Sequence, residues 1–190
     1  MEERASYQLD RKITVDEFQR LGREGFFPDG SRLELIDGEV REMSPVGPSH
    51  AWIVDRLLAM LFRQLGDMHH IRCQGPVDLD SYNEPQPDIL VARPNPAFAH
   101  RHPTPPDVLL AIEVSDSTLR QDRRHKIPRY ARTGIPESWI IDVGCRRIHV
   151  FTEPAGITYQ SETTHGLGDT IESPTIRSLR FHASEILPSD

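Results

Sequence analysis

Between Pro87 and Asp142 the chain places charge where an apolar core should repel it. Asp88 opens the apolar run Ile89-Leu90-Val91-Ala92, Glu113 sits inside Val108-Leu109-Leu110-Ala111-Ile112-Glu113-Val114, and Lys126 follows on a basic segment. A lone ionised carboxylate in such a strand is costly unless something pairs with it, and a divalent cation is the usual partner of two converging carboxylates. Asp and Glu with a nearby Lys suit phosphodiester hydrolysis. Hard oxygen ligands hold Mg²⁺, with Mn²⁺ as a substitute, and leave several waters in its shell; the ion polarises a phosphoryl oxygen and acidifies a bound water. A lysine ammonium beside that water orients it or offsets charge in the transition state. The chain has two lysines, Lys12 and Lys126, against twenty arginines, and one of the two follows the carboxylate strand.

Local elements must bring these groups together. Ile89-Ala92 and Val108-Val114 read as strands joined by a proline-rich loop, which permits antiparallel pairing. The start of the first then lies beside the end of the second, so Asp88 and Glu113 become neighbours. After Ser115, Thr118 and Gln121 stand at capping-box spacing, and a helix carries Lys126 as far as Gly134. Pro128 interrupts it, which predicts a kink or a restarted helix. Ser138-Asp142 and Arg147-Phe151 form a hairpin, and residues 157–171 read as small strands and turns.

Upstream, Thr14-Val15-Asp16-Glu17 caps a short helix ending near Gly25. Leu33-Ile36 and Glu39-Met43 flank Asp37-Gly38, the signature of a type I′ hairpin, and Glu34 lies on its first strand. Ser49 caps an amphipathic helix over His50-Leu65 that Gly66 ends. Ile71-Gln74 and Val77-Leu79 are short strand candidates. His100 and His102, in the proline-rich loop, read as exposed, Tyr130 and Trp139 as core, and Ile176, Leu179, Phe181 and Ile186 as closing that core. Cys73 and Cys145 lack metal or redox spacing and read as reduced, partly buried thiols.

The chain's 190 residues fit one domain, 1–190, with loose ends at 1–12 and 188–190. No apolar run reaches a membrane span, and Met1-Glu2-Glu3-Arg4 does not begin a signal peptide, so the expected location is the cytoplasm. A net charge of −7 opposes nonspecific coating of nucleic acid. Residues 119–134 nevertheless carry six Lys or Arg against Asp122 alone, either a basic face on an acidic body or a solvated helix surface.

The ordered set of Leu33-Glu34-Leu35-Ile36-Asp37-Gly38-Glu39-Val40, Ser44-Pro45, His50, Pro87-Asp88-Ile89 and Ile112-Glu113-Val114-Ser115 is distinctive. It continues through Ser117-Thr118, Asp122, Lys126, Tyr130-Ala131, Gly134-Glu137 and Trp139-Asp142. Together these resemble the Uma-type restriction endonuclease family of the PD-(D/E)XK nuclease superfamily over about residues 14 to 186. The resemblance implies an α/β (α+β mixed), restriction-endonuclease-like core, with a central mixed sheet flanked by helices and an N-terminal helix and hairpin. It implies a Mg²⁺-dependent endonuclease cutting DNA by metal-activated water. Asp88, Glu113 and the Val114 carbonyl would hold the metal, Glu34 would complete or water-link its shell, and Lys126 would stand in for the superfamily lysine, whose usual position is Ser115. His50 matches a family position without a derivable role. A homodimer is the expectation from related nucleases that pair to cut two strands. The alternative function is a noncatalytic binding or assembly protein that keeps the fold.

Overall fold

A computed structural model describes residues 11–116 and 118–188 of the chain. The ends expected to be loose fall outside this description apart from Arg11, Lys12 and Pro188, and so does Ser117 of the family-like motif.

The N-terminal elements form a small layer of their own. Helix α1 (Val15–Arg23) starts where Thr14 Oγ1 accepts the Glu17 N–H at 3.3 Å. Strands β1 (Leu33–Ile36) and β2 (Glu39–Glu42) pair antiparallel around Asp37 and Gly38, whose φ values of 55° and 77° suit a type I′ turn. A side chain at Gly38 would also press on Ile13, whose N–H donates to the Gly38 carbonyl at 3.0 Å. Ile13, Val15, Phe18, Leu33 and Leu35 pack α1 onto this hairpin. The hairpin docks on the loop before Asp88 through reciprocal backbone bonds between Leu35 and Glu84.

Helix α2 (Pro48–Leu65) begins earlier than its sequence indicates. Gly47 is the N-cap, Pro48 occupies the first turn, where its missing N–H costs nothing, and Ser49 lies inside the helix without capping it. The main sheet then runs in the order β3 (His70–Cys73), β4 (Ile89–Ala92), β5 (Val108–Ser115), β6 (Glu137–Asp142), β7 (Arg147–Ala155) and β8 (Thr158–His165). Only the β5–β6 pair is parallel, so the mixed sheet of the sequence reading is observed. Val77 to Leu79 is no strand, despite its apolar alternation. Its backbone bonds instead to Pro85, Pro103 and Asn83, partners too scattered for a ladder.

Residues 157–171 hold more strand than expected, since β8 extends β7 as the sheet's edge. Pro154 is tolerated because β6 already ends opposite Thr152, leaving no ladder there for its absent N–H. Strands β9 (Thr170–Glu172) and β10 (Arg180–His182) form a separate pair. One face of the main sheet buries Ile89, Ile112, Trp139 and Ile141 under α2 and the C-terminal segment, including Ile176, Leu179, Phe181 and Ile186. The other face buries Leu90, Ala111 and Ile140 under the helical segment after β5. That segment is α3 (Leu119–Gln121), a π-helical stretch over Asp122–Lys126, and α4 (Ile127–Arg132). Pro128 sits in the first turn of α4, so the helix restarts. Thr118 is the N-cap of α3, but its side chain makes no capping hydrogen bond.

Two surface expectations change. Cys73 and Cys145 are exposed thiols, each near a turn, and not partly buried. His102 is half-buried, its Nδ1 lying 3.2 Å from the Arg72 guanidinium, while His100 is exposed.

Glu84 is buried between α1 and the hairpin, with Gln19 donating to it. Burial first, and then the neighbouring Asp78, push its carboxyl up to about 8, against the hydrogen bond from Gln19. An acid raised in the folded state stays protonated after the unfolded chain has ionised. Stability therefore falls as pH rises from the ordinary 4.5 towards 8, by at most about 1.4 kcal/mol per pH unit. Glu84→Gln should flatten this dependence and raise the urea midpoint at pH 8 more than at pH 5. A midpoint that shifts equally at both pH values would contradict the assignment.

Candidate active site

Sheet register decides the geometry of the site. Ile89 pairs with Ile112 antiparallel, so the next step of the same register sets Asp88 opposite Glu113. Alternation along a strand puts both on the face that carries Leu90 and Ala111, beneath the helical segment. Pro85 and Pro87 stiffen the approach to Asp88.

Each carboxylate is fixed by named donors. Asp88 Oδ2 accepts the Val114 N–H at 2.8 Å, and Asp88 Oδ1 lies 3.1 Å from His50 Nε2. Nδ1 of His50 is buried with no partner among the described residues, so Asp88 is the polar group that holds the ring. Glu113 is 2 % exposed; its Oε1 accepts the Tyr130 hydroxyl at 2.6 Å and its Oε2 the Lys126 ammonium at 3.0 Å. Lys126 Nζ also lies 3.2 Å from Glu34 Oε2, a second ion pair, and 3.5 Å from the Gln86 carbonyl. Glu34 is held in turn by the Gln86 N–H at 3.3 Å. The hairpin thus delivers Glu34 to the carboxylate strand, and Lys126 joins the two.

Lys126 reaches inward because of the π-helical stretch. Proline lacks an N–H and its ring crowds the carbonyl four residues back, so the regular ladder cannot pass through Pro128. The Ile127 N–H instead bonds the Asp122 carbonyl, five residues back. Asp122, Lys126 and Tyr130 are all buried against the end of β5. Asp122 Oδ2 accepts Ser115 Oγ and Thr118 Oγ1, both at 2.7 Å. Ser115, at the usual lysine position, therefore anchors the helical segment that carries Lys126.

Electrostatics follow from this burial. Desolvation pushes the Glu113 carboxyl well above its usual range, against the opposing pull of Lys126. Burial alone would drag the Lys126 ammonium down, but Glu113, then Glu34, Asp122 and Asp88, hold it above its ordinary value. Burial and Glu113 raise the Tyr130 hydroxyl as well, so it remains a donor.

All of Glu34, Asp88, Glu113, Val114 and Lys126 line one cavity of about 190 Å³ between the hairpin, the start of α2 and the helical segment. Its wall carries six carboxylates, from Glu34, Glu42, Asp88, Glu113, Asp116 and Asp122, against the cations Arg32 and Lys126. Among the described residues, no three His, Cys, Asp or Glu side chains converge as a closed metal cage. Two carboxylates with a backbone carbonyl and waters is the open arrangement that Mg²⁺ favours, and each carboxylate oxygen that accepts one hydrogen bond keeps a second lone pair. The donor chemistry fits such an ion.

Tyr130 was expected as plain core, and it is core, but its hydroxyl also touches Glu113. No spacing rule links it, or His50, to a carboxylate on a distant strand. The basic segment is not a free basic face. Arg129 pairs with Asp37, Arg132 with Asp80 at 2.7 Å and Arg123 with Glu162, leaving Arg120 and Arg124 exposed. No helix among the described residues is long and apolar enough to cross a membrane.

Comparison with known proteins places the chain in a family. A crystal structure of a putative nuclease belonging to DUF820 from Anabaena variabilis ATCC 29413 superposes with a TM-score of 0.70 at 16 % identity, covering 92 % of this chain and 97 % of that one. That likeness is one of fold. No curated protein matches the sequence. The family model Uma2, described as "Putative restriction endonuclease", matches residues 15–184. The chain, matched over nearly its whole length, belongs to the Uma2 family.

Proposed function

We propose that this protein is a Mg²⁺-dependent endonuclease that hydrolyses DNA phosphodiester bonds at the cavity holding Glu34, Asp88, Glu113 and Lys126. Membership of a family described as restriction endonucleases and the shared nuclease fold support the nuclease reading. The observation that carries it further is the acidity of the cavity, where five carboxylates besides the buried Glu113 stand against two cations. A phosphodiester is an anion and meets net repulsion there unless cations are bound as well. Asp88, Glu113 and the Val114 carbonyl are the ligands in this reading, and Mn²⁺ can replace Mg²⁺ at such oxygen donors. The ion, when bound, supplies an acidified water and a polarised phosphoryl oxygen.

The chain's own residues do the positioning. His50 and the Val114 N–H hold Asp88 in one rotamer, while Tyr130 holds Glu113. Such supporting contacts keep ligands aimed at one point. Lys126 stays protonated, so it acts as a charged donor toward the phosphoryl oxygens and not as a base. Glu34 keeps the ammonium at the cavity wall. A homodimer, which would present two such cavities to two strands, belongs to the same proposal and is read from the particle mass in solution.

Plasmid cleavage in Mg²⁺ tests the reading. EDTA should abolish cutting, and Glu113→Gln or Asp88→Asn should lower it by at least about 10²-fold. Cutting that survives Glu113→Gln undiminished would remove the site from the mechanism.

His50→Ala and Tyr130→Phe should each lower activity roughly 10- to 100-fold, with weaker Mn²⁺ binding in calorimetry. Full activity in both variants would show that these contacts only pack the fold.

A further inference from the structure

Arg32 and Lys126 are the two cations that line the cavity, and they are held differently. Arg32 immediately precedes β1, and alternation along the chain puts its side chain on the same side as Glu34, so both line the cavity. Its carbonyl accepts the Met43 N–H at 2.8 Å, so the hairpin fixes its backbone. The side chain is half-buried, yet among the described residues no hydrogen bond or ion pair engages its guanidinium, although Glu42 and Asp116 line the same cavity. Lys126, the cavity's other cation, is paired with Glu113 and Glu34 at 3.0 and 3.2 Å. The five N–H donors of Arg32, a residue of the cavity wall, therefore have no protein acceptor among the described residues.

Gly47, the N-cap of α2, lines the same cavity, and the Asp116 carboxylate already stands against it, with Oδ2 3.5 Å from where a Cβ would lie. The start of α2 is thus met by an acid of the chain itself, which leaves Arg32 as the group at this wall that calls for an anion.

We infer that Arg32 binds a backbone phosphate of the nucleic acid strand and so sets the substrate's position over Asp88 and Glu113. This inference rests on the nuclease reading of the same site. The guanidinium fork matches two phosphate oxygens, a pairing that a lysine ammonium does not reproduce.

The test is the salt dependence of binding to a short fluorescein-labelled DNA duplex in Ca²⁺, measured by anisotropy for the wild type, Arg32→Ala and Arg32→Lys. It runs alongside plasmid cleavage in Mg²⁺. Arg32→Ala should weaken binding about tenfold and lower the slope of log affinity against log salt by about one, the signature of one lost phosphate contact. Arg32→Lys should keep the slope and recover part of the affinity. KM should rise with kcat little changed, and the thermal midpoint should not move. If the wild type cleaves DNA while Arg32→Ala keeps its slope and KM, the role of Arg32 is wrong and the nuclease reading stands. A wild type that binds with an Arg32-dependent slope but never cuts keeps Arg32 and overturns the nuclease. A wild type that neither binds nor cuts overturns both.

Discussion

The contact between Lys126 and Glu113 is the constraint from which the rest of the structure follows. Both groups are nearly sealed from water, and a buried ion pair recovers its desolvation cost only with good geometry and further hydrogen bonds. Glu34, the Gln86 carbonyl and the Tyr130 hydroxyl supply those bonds. Removing Lys126 alone would leave Glu113 buried without its cation, a loss on the order of 3–5 kcal/mol, whereas removing Glu113 leaves Lys126 its second carboxylate, Glu34. A protein selected for stability alone would do as well with apolar residues at these places. Retaining the pair makes sense where the charges act on something that enters the cavity.

The same constraint explains why the elements meet as they do. Antiparallel pairing of β4 with β5 brings Asp88 opposite Glu113, and the π-helical stretch accommodates Pro128 while leaving Lys126 against the strand end. The hairpin, anchored on the loop that leads to Asp88, closes the network with Glu34. A net negative chain with an acidic cavity also becomes consistent with a nucleic acid substrate once cations are counted as part of the site. Repulsion of free nucleic acid and attraction of metal-loaded substrate come from the same carboxylates.

Much of this was legible in the sequence, and the exceptions have physical causes. The Asp37-Gly38 turn, the Thr14 cap and the neighbourhood of Asp88 and Glu113 depend on local spacing and short connections, which one chain displays. The side-chain contacts of His50 and Tyr130 do not, since each crosses between elements far apart in sequence. The direction of Lys126 was undecidable because Pro128 admits either a kink or a restart, and only packing on β5 chooses. Val77 to Leu79 looked like a strand because alternation marks burial, and burial there is met by loops.

Crystals soaked in Mn²⁺ and measured for anomalous scattering test the central claim most directly, that Asp88 and Glu113 share a cation beside Lys126. The account predicts an anomalous peak within bonding distance of both carboxylates and the Val114 carbonyl, and its loss in Asp88→Asn. A cavity without a peak at saturating Mn²⁺, or a peak that leaves Glu113 bound only to Lys126 and Tyr130, would contradict it.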